Sequence, residues 1–433
     1  MSRLVASRRR SRSEERERRT RPDAESGGIV GDVDLTATEA LPSERRIVAA
    51  VWPTLLAAAA GGLPFTVFTT SLVSIAVAAG DGPAEVGSLR GLAGIGAVLA
   101  GVALAPLIGR IAPPRVAAAA LVLLAVAAAI GTSASIPTLA AFCLLTGVSN
   151  ALLYPALSAA AADRFGSGPA AGRAATLVMT AQTLASTLGA PLLVLPTLWW
   201  GWQGDLVAVA VLALVLAPVL VRYGRDERAA DPHGKRLGYL AAFRTLAAVP
   251  GALTLILVAF GRAGAFMGHL AFLAPLYADR FALSSSLFAF VWTLSGGSFF
   301  VGHLVAGRLL NLDESDQRAQ RVMATSLLTA LVALVGVYVA PALPLALACT
   351  AALSASHAVV AAAVVTLLVR SCADVRGTAL SLNAAGMSLG LFLGAAAAGA
   401  GLAAAGYVGA AAVLGGLTAL ALGAALTLRP RNP

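Results

Sequence analysis

Two polar side chains, Arg262 and His269, interrupt the otherwise small and apolar stretch AFGRAGAFMGHLAF at 259–272. They lie seven positions apart, so on an α-helix they occupy nearly the same face, two turns apart. A guanidinium in such surroundings can attract an anion or donate hydrogen bonds to a ligand, and an imidazole can carry a proton near neutral pH. Either side chain can instead cap backbone carbonyls or bond a polar neighbour without meeting a ligand.

Other apolar runs carry polar side chains at a similar expected depth. Asn150 and Tyr154 lie in GVSNALLYPAL, and His357 lies in ALSASHAVV. These groups can bond a substrate, with His357 and then His269 as candidate proton carriers. The alternative is hydrogen bonding between helices, worth about 0.6 kcal/mol per bond. The full set of candidate substrate-binding residues is Arg262, Asn150, Tyr154, His357, Gln182, Trp292 and Asn383.

The composition indicates that lipid is the main solvent of this chain. Hydrophobic residues make up 58% of the 433 positions and charged residues only 12%, whereas a soluble domain carries about 25% charge. The 21 Asp and Glu residues all lie in the N-terminal tail, in connections or at the edges of apolar runs. No nucleophile triad, paired carboxylates, metal-ligand cluster or phosphate-binding loop can be assembled, so we expect neither an enzyme nor a cofactor.

Runs free of Asp, Glu, Lys and Arg predict twelve transmembrane helices, each of roughly 20 residues. The three longest runs each divide at a turn, at 131–137, 340–344 and 402–406. The segment 245–278 is one more span, interrupted by Arg262. We therefore expect an all-α polytopic membrane protein.

The distribution of basic residues predicts the orientation. With the N-terminus inside, 28 of the 31 Lys and Arg residues are cytoplasmic, which predicts both termini on the cytoplasmic side of the cell membrane. The basic tail is expected to be disordered and to lie near anionic lipid rather than nucleic acid. The predicted parts are a tail (1–46), an N-terminal six-helix bundle (47–221), a cytoplasmic linker (222–246), a C-terminal six-helix bundle (247–428) and a short C-terminus (429–433).

An internal repeat supports the division into two halves. A shift of 205 residues aligns GRAATLVMTAQTLASTLGA (172–190) with GTALSLNAAGMSLGLFLGA (377–395) and superimposes Gly189 on Gly394. A shift of 198 aligns APLIGRI (105–111) with HLVAGRL (303–309). These matches predict two six-helix bundles related by pseudo-symmetry.

Twelve helices, a repeated half and a basic central linker resemble the major facilitator superfamily, over about residues 45–428. The chain is similar in detail to the drug- and sugar-efflux branch. APLIGRIAPPRV (105–116) resembles that branch's loop after the second span, LASTLGAP (184–191) its Gly-Pro motif, and VRGTALSLNAAGMSLGLFLGAA (375–396) its eleventh span. The gating residues that the resemblance implies are Gly109, Arg110, Arg115, Gly307, Arg308, Gly189 and Pro191.

The chain departs from the branch at three places. Pro113 and Pro114 stand where the loop motif carries an Asp-Arg pair, and Ala190 separates the Gly and Pro of the fifth span. Cys143 stands in place of an arginine of the fourth span. With no carboxylate expected inside the membrane, a histidine is the only candidate for proton coupling; His303 is expected in a gate loop rather than in the site.

The sequence therefore predicts a secondary transporter in which two halves rock around a midplane site. Export of a small amphipathic or hydrophobic organic compound is the leading prediction, by a monomer with possible proton coupling. One alternative is an importer or facilitator of a small organic anion that uses Arg262 as counter-charge. The other is a membrane receptor or scaffold that kept the fold and lost transport.

Overall fold

The computed structural model describes residues 43–101, 111–165, 169–224, 244, 246–311, 315–372 and 376–428. All regular structure in these ranges is helical, which confirms the predicted fold class. The helices are α1 Glu44–Thr70, α2 Leu72–Ala79, α3 Pro83–Ser88, α4 Leu92–Leu99, α5 Pro113–Gly131, α6 Ile136–Asp163, α7 Pro169–Tyr223, α8 Ala252–Phe281, α9 Ser285–Asn311, α10 Asp316–Val339, α11 Leu343–Ser371 and α12 Arg376–Leu426, with a 3-10 turn Leu89–Gly91 between α3 and α4. Nearly all of the predicted tail, most of the linker and the last five residues lie outside the described residues.

Nine helices of the described chain are long and apolar enough to cross a membrane. Two helices, α7 and α12, each contain an internal kink, so each provides two spans. The second span is broken into α3, the 3-10 turn and α4. Counted in this way, the described helices make the twelve predicted crossings.

The kinks in α7 and α12 occur at glycines that the repeat superimposes. Gly201 has φ 64° and ψ −174°, and Gly406 has φ 60° and ψ −154°; glycine alone adopts this region without strain. A Cβ placed on Gly401 would lie 2.7 Å from the carbonyl oxygen of Gly409. In a straight helix those residues would be about 12 Å apart, so the chain of α12 turns back on itself here.

The two halves of the described chain, 43–224 and 246–428, pack their helices in the same pattern. The first span packs against α7 as α8 packs against α12, and α5 pairs with α6 as α10 pairs with α11. Likewise α4 packs against α6 as α9 packs against α11. This agreement confirms the predicted pseudo-symmetry of the fold.

Glycines at equivalent positions set the closest of these contacts. A Cβ on Gly189 would lie 3.0 Å from Leu63 Cδ2 of α1, and a Cβ on Gly394 would lie 2.5 Å from Gly264 Cα of α8. Small residues at such positions let neighbouring helices approach closely within a membrane. The aligned glycines of the sequence repeat therefore have the same structural role.

The halves meet along two seams, α7 against α9 and the second span against α12. We call the end of the bundle with connections 80–82, 282–284 and 340–342 the outer end, following the predicted orientation. Here a Cβ on Gly399 of α12 would lie 2.7 Å from Ser88 Cβ, and Phe272 of α8 packs against Gly87. The halves thus touch at the outer end.

Candidate functional site

A cavity of about 430 Å³ lies between the two halves, within the range of roughly 300–1,000 Å³ typical of small-molecule sites. Its walls come from both halves and extend inward from the outer-end contacts as far as His303 and Ala361. Most of the wall is apolar. The larger apolar side chains are Phe65, Met179, Phe266, Met267, Leu270, Trp292, Phe299 and Met387.

Five of the seven candidate substrate-binding residues line this one cavity: Arg262, Asn150, Tyr154, Gln182 and Trp292. They come from α6 and α7 of the N-terminal half and from α8 and α9 of the C-terminal half, so the packing of the two halves brings them to one cavity. The cavity therefore combines an apolar wall with a few polar groups.

Arg262 of α8 is 2% exposed, and its Nη1 atom has no hydrogen-bond partner in the described part of the chain. Arg280, on the same helix, is different: its guanidinium donates to the carbonyl oxygens of Tyr338 and Ala340 and so caps the end of α10. Among the described residues, Arg280 thus caps backbone carbonyls, whereas Nη1 of Arg262 does not.

Two candidates, His357 and Asn383, lie one layer behind the cavity wall. The ring of His357 stacks on Phe266 with centroids 4.9 Å apart, and its Nδ1 atom has no partner among the described residues. Asn383 Nδ2 lies 3.6 Å from Sδ of Met387. Both candidates are covered by side chains that do line the cavity, Phe266 and Met387.

His269, the second candidate proton carrier, does not line the cavity either. It is 1% exposed, and neither ring nitrogen has a hydrogen-bond partner among the described residues. Its ring meets the edge of Tyr338 of α10, with centroids 5.8 Å apart. The helix face that His269 shares with Arg262 is therefore covered by protein at the outer end, where the two halves are in contact.

The sequence analysis missed Arg90, which lines the cavity from the N-terminal half. Its Nη1 atom donates to Thr69 Oγ1 at 2.7 Å, and its guanidinium lies over the ring of Phe65, 5.7 Å from the centroid. Cys143, at the place of the absent fourth-span arginine, lies near enough to interact with it electrostatically. A run without charged residues begins only at 91, so the sequence alone gives Arg90 the appearance of a connecting residue. The helical part of the span begins earlier, at Pro83. The glycines at 87, 91 and 94 are the sequence feature that could have indicated close helix packing on both sides of Arg90.

His303 was expected in a gate loop, and that expectation is wrong. It lies inside α9, is exposed and lines the cavity. Its Nδ1 atom is 3.2 Å from the carbonyl oxygen of Phe299. Arg262 is close enough to act on both His303 and His357 electrostatically.

Gly61 places α1 directly against the polar pair on α6. A Cβ at this position would lie 2.9 Å from the Tyr154 hydroxyl and 3.1 Å from Asn150 Oδ1. Helix α1 continues through Pro64 without a break, so Gly61 serves the close packing of α1 against α6.

A family model described as the Major Facilitator Superfamily matches residues 54–312. This chain belongs to the Major Facilitator Superfamily. It is thus a multi-pass membrane protein of a transporter family and not of an enzyme family.

One curated relative matches part of this chain. A chloramphenicol resistance protein of Streptomyces lividans is 32% identical over 207 residues, which are 47% of this chain and 50% of the relative. The match thus spans half the length of that relative.

Solved superfamily structures share the fold. A bacterial homolog of the human lysosomal transporter Spinster, in an inward-facing and unoccupied conformation, superimposes with a TM-score of 0.66 at 17% identity, covering 89% of this chain and 95% of that one. The nucleoside transporter NupG superimposes with a TM-score of 0.66 at 13% identity, covering 86% of this chain and 99% of that one. The human organic anion transporter MFSD10 superimposes with a TM-score of 0.58 at 20% identity, covering 89% of this chain and 100% of that one. At these identities the likeness concerns the fold alone.

The gating residues implied by the superfamily motifs are only partly described. Gly109 and Arg110 lie outside the described residues. Arg115 and Arg308 are exposed, and Gly307 has open space around the position of a Cβ. Gly189 is the close contact with α1, and α7 remains helical through Pro191.

Pro113, which replaces part of the charged loop motif, starts α5. A proline is well suited to the first position of a helix because the missing N–H would have no helical partner there. Its presence therefore serves the helix start.

The described residues contain no group of three or more His, Cys, Asp or Glu side chains that could hold a metal ion. Cys143, Cys349 and Cys372 are free thiols. The chemistry open to the cavity is thus binding by hydrogen bonds, charge and apolar contact.

Proposed function

We propose that this superfamily member exports a small amphipathic or hydrophobic organic compound across the cell membrane by alternating access. The observation that carries the proposal is the cavity between the halves, apolar over most of its wall with a few polar groups. Such a site suits an organic molecule that enters from the cytoplasm or from the inner leaflet.

The relative from Streptomyces lividans supports export as the direction. Its name is chloramphenicol resistance protein, and it is 32% identical to this chain. Removal of an inhibitor from the cell is the means by which a transporter confers resistance. Chloramphenicol is therefore the first compound to test.

The site residues proposed for substrate contact are Arg262, Asn150, Tyr154, Gln182 and Trp292, which line the cavity. His357 and Asn383 are proposed to act through Phe266 and Met387, the side chains that cover them. Proton coupling is assigned first to His303, because among the histidines that the structure describes it is the one that lines the cavity.

The test compares cells with and without the gene for accumulation of radiolabelled chloramphenicol. Export predicts lower accumulation in expressing cells, restored by a protonophore if protons drive it. Replacement of Trp292 by Ala, which removes apolar wall, should raise accumulation; Trp199→Ala, which changes an exposed residue remote from the cavity, is the matched control. Equal accumulation in all strains, for this compound and for a panel of amphipathic drugs, would contradict export.

A second candidate function is import of a small organic anion, favoured by the buried and unpaired Nη1 of Arg262. Right-side-out and inside-out membrane vesicles separate the two directions. Uptake that occurs only into right-side-out vesicles indicates an importer, whereas uptake only into inside-out vesicles indicates an exporter. The same vesicles, probed with protease, test the cytoplasmic location of the basic tail.

A further inference from the structure

We propose that Arg90 and Arg262 form a two-sided clamp for the acidic head of an amphipathic organic anion. This inference rests on the proposed transport cavity and names the class of its substrate. Arg90 belongs to the N-terminal half and Arg262 to the C-terminal half, and both line the same cavity of about 430 Å³. An occupant of this cavity therefore shares it with one arginine from each half.

The charges of the cavity wall are unbalanced. Arg90 is 7% exposed and Arg262 is 2% exposed, and an arginine buried in a membrane protein normally pairs with an acid or with backbone carbonyls. Among the described residues that line the cavity there is no Asp or Glu. An anionic ligand would provide the missing counter-charge.

Two other arginines, each in the last turn of its helix, do have such partners. Arg280 donates to two carbonyl oxygens, and Arg370 donates to the Leu310 carbonyl and lies 3.9 Å from Asp316. Arg262 instead leaves Nη1 without a partner in the described chain. The contrast indicates that Arg262 is held for a ligand rather than for the fold.

Arg90 is positioned as a binding group. The hydrogen bond to Thr69 uses one donor of Nη1, and the ring of Phe65 supports the face of the guanidinium. A guanidinium has five N–H donors in a planar fork that matches a carboxylate, sulfonate or phosphate. The remaining donors are available for such a head group.

The rest of the cavity fits an aromatic or aliphatic body attached to that head. Phe266, Phe299 and Trp292 provide flat apolar surface on the side of the C-terminal half. Rings of Phe266 and Phe299 stack with centroids 5.2 Å apart, so they form a continuous wall. The inferred substrate class is thus an aromatic or hydrophobic organic anion.

The test uses matched pairs of probes of nearly the same size and shape, one charged and one neutral: benzoate with benzamide, and 2-naphthoate with 2-naphthamide. Binding to the purified full chain in detergent is measured as the ligand-dependent rise in its thermal midpoint. The clamp predicts that the carboxylate of at least one pair binds roughly tenfold or more tightly than its amide. Equal affinity of carboxylate and amide in both pairs would overturn the proposal with no variant needed.

Variants then assign the effect to the two arginines. Arg90→Gln and Arg262→Gln should each lose the preference for the carboxylate, while Arg90→Lys and Arg262→Lys should keep part of it, since the charge remains and the planar fork is lost. Arg321→Gln removes an exposed arginine of α10 and should leave the preference unchanged. If either glutamine variant still prefers the carboxylate to the amide as strongly as the wild type does, the two-sided clamp is overturned.

Failure of this inference and failure of export give different results. If chloramphenicol is exported but carboxylates bind no more tightly than their amides, the export function is supported and the anion clamp is ruled out. If carboxylates bind through both arginines but no compound is moved, the clamp stands and transport falls.

Discussion

Individual polar side chains in this protein acquire different roles from the surface that each one faces. Arg262 and His269 share one face of α8, yet Arg262 opens onto the cavity and His269 meets Tyr338. The difference arises because the halves separate around the cavity and close at the outer end. Helical spacing alone cannot locate that boundary.

His303 should control any dependence of transport on pH. We expect His303→Gln to retain transport at a fixed pH but to lose most of its change between about pH 5 and 8, the range in which histidine titrates. Arg262 is the charged group that acts on this imidazole, and it stays charged throughout that range.

The measurement is substrate flux in proteoliposomes at a series of pH values, with binding followed separately. His269→Gln is the matched control, because His269 is buried away from the cavity. If His303→Gln keeps the full pH dependence, another group carries the proton.

At the scale of helices, backbone proximity depends on glycines at particular contacts. We expect Gly394→Ala to destabilise the protein by about 1–3 kcal/mol, the usual cost of overpacking, because the new methyl group would lie 2.5 Å from Gly264 Cα. The clash is with backbone, so α8 and α12 would have to move apart.

Gly416→Ala on the same helix is the control, since nothing lies within 4 Å of a Cβ there. Its thermal midpoint in detergent should equal or slightly exceed that of the wild type, as alanine favours a helix. A Gly394→Ala protein as stable as this control would show that the helices tolerate a wider separation.

The kink at Gly406 provides a second test on α12. With φ 60° and ψ −154°, alanine at this position would carry about 1–3 kcal/mol of backbone strain. We therefore expect Gly406→Ala to lower the thermal midpoint even though open space surrounds the position. An unchanged midpoint would mean that the turn can adopt another backbone path.

At the scale of the whole molecule, transport by alternating access requires the outer ends of the halves to separate. A Cβ on Gly399 would lie 2.7 Å from Ser88 Cβ, and a small shift brings such a pair to the spacing of a disulfide. We expect the double variant Ser88→Cys with Gly399→Cys to lose transport on oxidation and to regain it on reduction.

Each single cysteine variant, treated with the same oxidant, is the control for this experiment. Binding of a ligand from the inner end should survive in the cross-linked protein. Undiminished transport after complete cross-linking would rule out separation of these ends as a step of the cycle.

Much of this architecture follows from the sequence. The predicted turns at 131–137, 340–344 and 402–406 lie at the end of α5, between α10 and α11, and at the kink of α12, because lipid thickness fixes span length. The sequence repeat aligns Gly189 with Gly394, and both glycines make close contacts with a neighbouring helix in the structure. Five cavity-lining residues were found because polar groups are rare in apolar runs.

The rest depended on information that a single sequence lacks. Arg90 was missed because a charge next to an apolar run is usually a boundary, whereas this span is broken and begins earlier. The layer behind the wall, His357 and Asn383, could not be separated from the wall itself. Depth along a helix can be counted from residues, but which neighbour covers a side chain depends on tertiary packing.

The reversals at Gly201 and at Ala405–Gly406 join consecutive spans through only one or two non-helical residues. So short a connection restricts sliding of one span lengthwise past the other, and each pair should therefore tilt as one rigid unit. A displacement that a bound solute causes at mid-depth would then be carried along the whole length of each pair, to both ends of the bundle.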